Sequence, residues 1–181
     1  GADAGPYGGV YAAPAGSGVG DLDALTFPPS PRRGAQDIDM AVVERTHHIS
    51  RGHSVEAWTY NGTAPGPIIR ATEGDILRVH FTNQTGHDHN LHFHGRHSPL
   101  HDGWEPIPPG GETVYEIEAG PTGGQPYPRH THPIDRHIAK GLYGTLIVDP
   151  PGGRPPATEV VLALSGWDVD DDGRNEVYSW N

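Results

Sequence analysis

Apolar and polar residues alternate along much of this chain, in short runs broken by glycine and proline. Asp75 to Asn83 alternates most cleanly, with Ile76, Arg78, His80 and Thr82 on one face, the two-residue period of a half-buried strand. Ser54 to Tyr60 alternates too and runs into Asn61-Gly62, a pair suited to a tight turn. Asp39 to Arg45 has strand composition, and Ile68-Ile69-Arg70 follows the breaker Pro65-Gly66-Pro67. Glu112 to Glu118 alternates with Val114 or Tyr115 inward. Gly144 to Pro150 reads as a buried strand stopped by proline, and Glu159 to Ser165 as a further apolar run. Roughly seven or eight short strands with frequent turns predict an all-β fold, a Greek-key β-sandwich or barrel. No amphipathic helix and no internal repeat is legible.

The flanks differ in texture. Residues 1–36 are rich in glycine, alanine, proline and serine. They read as a flexible extended arm, because such a segment buries too little apolar surface to offset the entropy of ordering. Tyr7, Tyr11, Leu25 and Phe27 could anchor it on a neighbouring subunit. The body of the domain is expected over 37–165. Residues 166–181 are polar and acidic and read as a linker toward a second domain.

Composition narrows the function. Glycine and proline make up a quarter of the 181 residues, which disfavours long helices. The formal charge of −11 argues against nucleic acid as a partner, since that needs a basic surface. No apolar run is long enough for a membrane span. There are 13 histidines and no cysteine. The chain therefore has no disulfide, no thiol nucleophile and no thiolate metal ligand of its own.

The histidines concentrate in His87-Asp88-His89-Asn90-Leu91-His92-Phe93-His94-Gly95-Arg96-His97. In an extended chain His92 and His94 project to one side and Phe93 to the other. Two imidazoles so placed suit zinc, copper, iron or nickel. A second group, His130-Thr131-His132 and His137, follows about forty residues later.

Several motifs together carry a family resemblance. They are Trp58-Thr59-Tyr60-Asn61-Gly62-Thr63-Ala64-Pro65-Gly66-Pro67, Glu73-Gly74-Asp75, His92-Phe93-His94-Gly95 and Lys140-Gly141-Leu142-Tyr143-Gly144. Over about residues 40–165 the chain resembles the first cupredoxin domain of a multicopper oxidase, of the two-domain, laccase-like bacterial type. The resemblance implies a cupredoxin-like fold and copper as the cofactor. It implies a type 2/type 3 trinuclear cluster shared with a second cupredoxin domain, and dioxygen reduced to water at the expense of a small reducing substrate such as a phenol or metal ion. It also implies a homotrimer and a secreted or periplasmic location.

Residue by residue, His89 matches a type 1 copper ligand, His92 a type 2 ligand and His94 a type 3 ligand. Aligned without a gap, His130 is a further type 3 ligand, Pro128 replaces a type 3 histidine, and Arg129 stands where the type 1 cysteine belongs. A gapped alignment makes His130 and His132 the pair, with Thr131 between them. His137 matches a type 1 ligand in either case, and Leu142 cannot ligate from the axial position. The catalytic set implied is His92, His94 and His130, and the metal set adds His89, His132 and His137. Without the thiolate, a blue copper site does not form in this chain. The expectation is half of an oxidase centre, or else a non-catalytic copper-binding module.

Other features have plainer readings. His97 and His101-Asp102-Gly103-Trp104 read as loop residues or a substrate approach, and His47, His48 and His53 as solvated turn residues. His80 is expected to pair with a carboxylate. Asp88, Asp102 and Asp135 could take the far ring N–H of a ligand imidazole. Asp168-Val169-Asp170-Asp171-Asp172-Gly173 has the opening of a calcium loop. Ser179 stands where the closing glutamate belongs, so an acidic linker is the favoured reading. Asn61 and Asn83 begin glycosylation sequons.

Overall fold

The computed structural model describes residues 10–11, 34–50, 52–94, 105–128, 134–170 and 172–180. The strands are β1 (Val10–Tyr11), β2 (Ala35–Ser50), β3 (His53–Tyr60), β4 (Ile68–Thr72), β5 (Ile76–Asn83), β6 (Glu112–Glu118), β7 (Gly123–Pro126), β8 (Thr145–Asp149), β9 (Leu164–Trp167) and β10 (Val177–Trp180), and the one helix among these residues is α1 (Ile134–Ala139). Two four-stranded sheets, β3-β2-β5-β6 and β1-β4-β8-β7, share one core, and β10-β9 form a separate hairpin. This is the β-sandwich that the alternation predicts.

Strand β5 shows why the pattern folds this way. Leu77, Val79 and Phe81 are buried, while Arg78 and His80 face outward. Its neighbours are parallel β2 and antiparallel β6. Ile38, Met40, Val42 and Ile117 join it from the same sheet, and Ile69, Ala71, Leu146 and Val148 face them from the other. On β6 Tyr115 points inward and Val114 outward, which resolves the alternative left open by the sequence.

Strand β2 is longer than the seven residues its composition suggests. Its first half, Ala35–Val42, pairs with β5, and its second half, Val42–Ser50, pairs with β3. Two successive partners keep one strand extended over 16 residues. The strand begins at Ala35, Gly34 N before it donates to Asp75 Oδ1 at 2.9 Å, and Val10–Tyr11 pairs with β4; the rest of the sequence-expected arm lies outside the described residues. Asn61, at φ 53°, and Gly62, at φ 82°, turn the chain after β3. The Asn61 carboxamide then ties the turn to β2, accepting from Ala41 N at 2.6 Å and donating to Asp39 O at 2.9 Å.

Two other expectations change. Helix α1 has six residues, too short to leave a helical period in the sequence. The apolar run 159–165 is not one strand: Val160 makes a single bridge, and the ladder of β9 with β10 begins at Leu164. Leu162 and Leu164 stay exposed. The segment after Ser165 folds back as this hairpin, and Trp167 packs with Val55 and Ala57 of β3.

Tyr127 fixes the end of the sandwich that carries the histidines. Its hydroxyl donates to Pro67 O, and burial pushes its pKa well up, with Tyr60 adding to the shift. A Cβ on Gly144 would fall 2.1 Å from the Tyr127 ring, and one on Gly66 2.9 Å from its hydroxyl. The glycines of the Pro-Gly-Pro and Leu-Tyr-Gly motifs are therefore clearance for this one ring.

Candidate metal centre

The first histidine cluster leaves β5 through a bonded loop. Asn83 Nδ2 donates to His87 O at 2.7 Å and to Ile107 O at 2.8 Å. His89 and Ile107 then exchange backbone bonds of 3.1 and 2.7 Å. His89 is fully buried. Beyond it the chain lies outside any named strand, held by His92 N donating to Pro128 O at 3.1 Å. Leu91 and Phe93 enter the core, and Phe93 meets Tyr127 at 5.4 Å. His92 and His94 alternate with them, with ring centroids 5.0 Å apart and planes at 80°. His92 is buried and His94 exposed.

His137, on α1, comes to the same end of the sandwich. Leu142 N donates to His137 O at 3.1 Å, and Trp58 N to Lys140 O at 2.8 Å. These bonds fasten the helix and its following turn to β3. His137 and His89, 48 positions apart in the sequence, lie with centroids 5.7 Å apart at 81°. An ion held about 2 Å from one nitrogen of each of two rings leaves the rings roughly 5 Å apart, so this pair can share a metal with small adjustment. Leu142, which follows α1, is buried and brings no donor atom. The donor set at this pair is imidazole only, which fits copper or zinc but not a blue copper centre.

Thus the structure brings together His89 with His137, and His92 with His94. His130, His132, Pro133, Thr131 and Arg129 lie outside the described residues, as do His97, His101, Asp102 and Trp104. The described segment ending at Pro128, bonded to His92, leads directly into them.

Trp58 is the residue that sequence reasoning passed over as a strand position. Its ring stacks on His137 at 4.6 Å and 26°, meets His89 edge-on at 5.0 Å, and lies 5.0 Å from His87. Its place at the head of the Trp-Thr-Tyr-Asn-Gly motif was the only signal. On the solvent side, Trp58, His87, Glu44, Glu56, Arg136 and Lys140 line a cavity of about 200 Å³. Trp58 therefore stands between this charged cavity and the buried imidazole pair.

The remaining histidines are not all solvated. His47 stacks on Trp167 at 4.7 Å. Burial lowers its pKa, and His48 beside it lowers it further. His80 pairs with Asp37 at 3.0 Å. At the hairpin tip, Asp168, Asp170, Asp172 and Glu176 offer oxygens within 4.8 Å of one another. The loop's own amides occupy them: Asp172 N and Gly173 N donate to Asp168 at 3.1 and 2.8 Å, and Val169 N to Glu176 at 3.0 Å. Among the described residues no helix is long and apolar enough to cross a membrane.

Comparison with known proteins identifies relatives of this fold. The family model for multicopper oxidases matches residues 41–153. A solved multicopper oxidase is 42% identical with a TM-score of 0.78, over 82% of this chain and 54% of that one. The copper-containing nitrite reductase of Neisseria meningitidis serogroup A is 30% identical over 132 residues, 71% of this chain and 34% of that protein. The L-ascorbate oxidase of Cucumis sativus is 39% identical over 121 residues, 59% of this chain and 20% of that protein. The chain thus spans about half of the solved oxidase and a third or less of these curated relatives.

Proposed function

This chain belongs to the multicopper oxidase family, with its cupredoxin-like β-sandwich, and from that premise we propose that it supplies one half of a copper centre that reduces dioxygen to water. The other half comes from a second cupredoxin domain or chain, in a trimer of secreted or periplasmic copies. The observation that carries this reading is the His92–His94 pair, two imidazoles 5.0 Å apart, with Phe93 between them locked in the core.

Copper bound there supplies the redox capacity for oxygen reduction. The chain's own residues set the donors. His92, His94 and His130 are assigned to the type 2/type 3 site, and His132 is the alternative partner of His130. The buried backbone bond from His92 N to Pro128 O brings the first histidine motif beside the segment leading to the second. His89 and His137 form a two-imidazole remnant of a type 1 site, capable of holding copper or zinc. With no cysteine in the chain, electrons from a phenolic or metal substrate must enter through a site that other residues complete.

Metal analysis tests this. Copper should survive dialysis of the purified protein and be lost on replacing His92 and His94 together. The copper-loaded chain should lack the intense blue thiolate absorption and should oxidise phenols poorly by itself. Strong blue colour with full laccase turnover from this chain alone would refute the division of labour. Absence of retained copper would favour a non-catalytic module. A second reading, with nitrite as acceptor, is favoured by the match to nitrite reductases over 71% of the chain; oxygen against nitrite consumption by the assembled protein separates the two.

A further inference from the structure

His137 sits in the last turn of α1, a helix of six residues, too short to hold itself together in water. Its C-terminus is closed by a paired cap. Leu142 N donates to His137 O at 3.1 Å and Gly141 N to Ile138 O at 2.9 Å, with Gly141 at φ 107°. This is the helix ending that a glycine in the left-handed region allows. The cap bonds the residue that carries the imidazole, so whatever fixes Gly141 fixes the root of the His137 side chain. Three groups crowd Gly141. A Cβ built there would meet Trp58 O at 2.9 Å, the Ala64 Cβ at 3.0 Å and Trp167 Cη2 at 3.5 Å.

Trp58 and Ala64 belong to β3 and the turn after it, but Trp167 comes from β9, in a stretch that the sequence presents as a polar linker. Trp167 is 1% exposed. Val55 and Ala57 pack on it, His47 stacks on it at 4.7 Å and 29°, and its Nε1 donates to Ser179 Oγ at 2.9 Å. An indole gripped from several directions is a firm backing for the cap. A second tie runs beside it. Tyr143, two residues after Gly141, shares a hydrogen bond between its hydroxyl and Ser165 Oγ, also on β9. Strand β9 therefore holds the turn after α1 at two points. We propose that Trp167 and Ser165 are positioning residues for the His89–His137 pair. They brace the Gly141 cap and the turn behind it, and so keep His137 stacked on Trp58 and facing His89 at 81°. The inference rests on the reading above that these two imidazoles hold a metal. Groups that orient ligands without ligating set metal affinity alongside the ligands themselves. Metal affinity at the pair is thereby coupled to the seating of β9 on β3.

The test uses the full 181-residue chain with His92→Asn and His94→Asn, and zinc(II) as a diamagnetic probe. The zinc binding that disappears on adding His137→Asn is that of the pair. By competition with a chelator, Trp167→Phe should hold this zinc at least about tenfold more weakly, and Ser165→Ala should weaken it in the same direction. Ile117→Val, in the core of the sandwich, is the control: it lowers the melting temperature and should leave zinc affinity within about twofold. Ser165→Ala removes a single hydroxyl, so the test stands on it if Trp167→Phe does not fold. Proton NMR of the metal-free protein gives a second reading. The His137 ring protons lie over the Trp58 indole, and their resonances should move in both β9 variants and not in the control. Zinc affinity that matches the control in both variants would overturn the proposal. So would weaker zinc with unmoved His137 resonances, since β9 would then act otherwise than by placing the ring. Moved resonances in a chain that binds no zinc at the pair would remove the metal reading alone and leave the positioning standing.

Discussion

Trp58 stacks on His137 with ring centroids 4.6 Å apart and planes 26° from parallel. The same indole meets His89 edge-on at 5.0 Å. One side chain of β3 thus sets the angle between two imidazoles that come from separate parts of the chain. It also walls them off from the cavity that carries Glu44, Glu56, Arg136 and Lys140.

Replacing Trp58 should therefore act on both stability and metal binding. Trp58→Ala is expected to cost about 3 kcal/mol in urea unfolding, the range for deleting a buried aromatic ring. Trp58→Phe keeps a stacking ring and should cost less. Copper affinity at the His89–His137 pair, read by competition with a chelator, should follow the same order. If Trp58→Ala changes stability but leaves affinity alone, the indole is packing and does not position the imidazoles.

The second prediction concerns clearance around Tyr127. A Cβ on Gly144 would sit 2.1 Å from the Tyr127 ring, and neither the ring nor the strand can move far in a close-packed end of the core. Gly144→Ala is expected to destabilise by about 2 kcal/mol or more. Tyr127→Phe removes the bond to Pro67 O, leaving a buried acceptor without its donor, at about 1–3 kcal/mol. Chemical denaturation of both variants checks this, and a near-neutral Gly144→Ala would mean that the Tyr127 ring is free to shift.

Much of this architecture is legible in the residue order, for definite reasons. Leu77, Val79 and Phe81 announce β5 because one face is buried and the other wet. His92 and His94 announce themselves because two donors flank a core phenylalanine. The pairing of His89 with His137 is not written in spacing at all: it needs α1 and the backbone bond from Trp58 to Lys140, both tertiary. Helix α1 is too short for periodicity. The run 159–165 misleads because its leucines suit a buried strand, yet Leu162 and Leu164 are exposed in the structure. The family motifs supplied the ligand assignments, including His130 and His132, which geometry here does not reach.

The third prediction is a pH dependence. His47 stacks on Trp167, and its pKa is lowered by burial and then by His48. A lowered histidine pKa means that the unfolded chain binds the proton more readily than the folded one. The stabilising contribution is then complete above the unfolded value of about 6.5 and is lost as pH falls through the folded value. Along the paired strand β3, Glu56 stands opposite Thr46 and His53 opposite Ser50, with Val55 opposite His47 itself. Unfolding free energy should fall between about pH 7 and pH 5, with a smaller slope in His47→Gln. An unchanged slope in that variant would assign the titration to another group.

The last prediction separates buried from exposed charge at the end of β8. Asp149 is 2% exposed and accepts from Arg70 Nε at 2.8 Å, Arg70 Nη2 at 3.2 Å and Arg154 Nε at 2.7 Å. Glu159 takes the same two guanidinium groups, at 3.1 and 2.9 Å, from a more exposed position. Burial alone would lower the Arg70 pKa, but bonding to Asp149 and the charges of Asp149 and Glu159 raise it overall. Removing one partner of a buried pair leaves a charge without compensation and costs about 3–5 kcal/mol, so Asp149→Ala should be severe. Glu159→Gln should cost about 1 kcal/mol or less, because water and Asp149 still serve both arginines. Asp149→Ala combined with Arg70→Met should recover part of the loss, since the stranded guanidinium goes with it. A double variant no more stable than Asp149→Ala alone would show that Asp149 acts chiefly through Arg154, closing the sandwich from the connector rather than from β4.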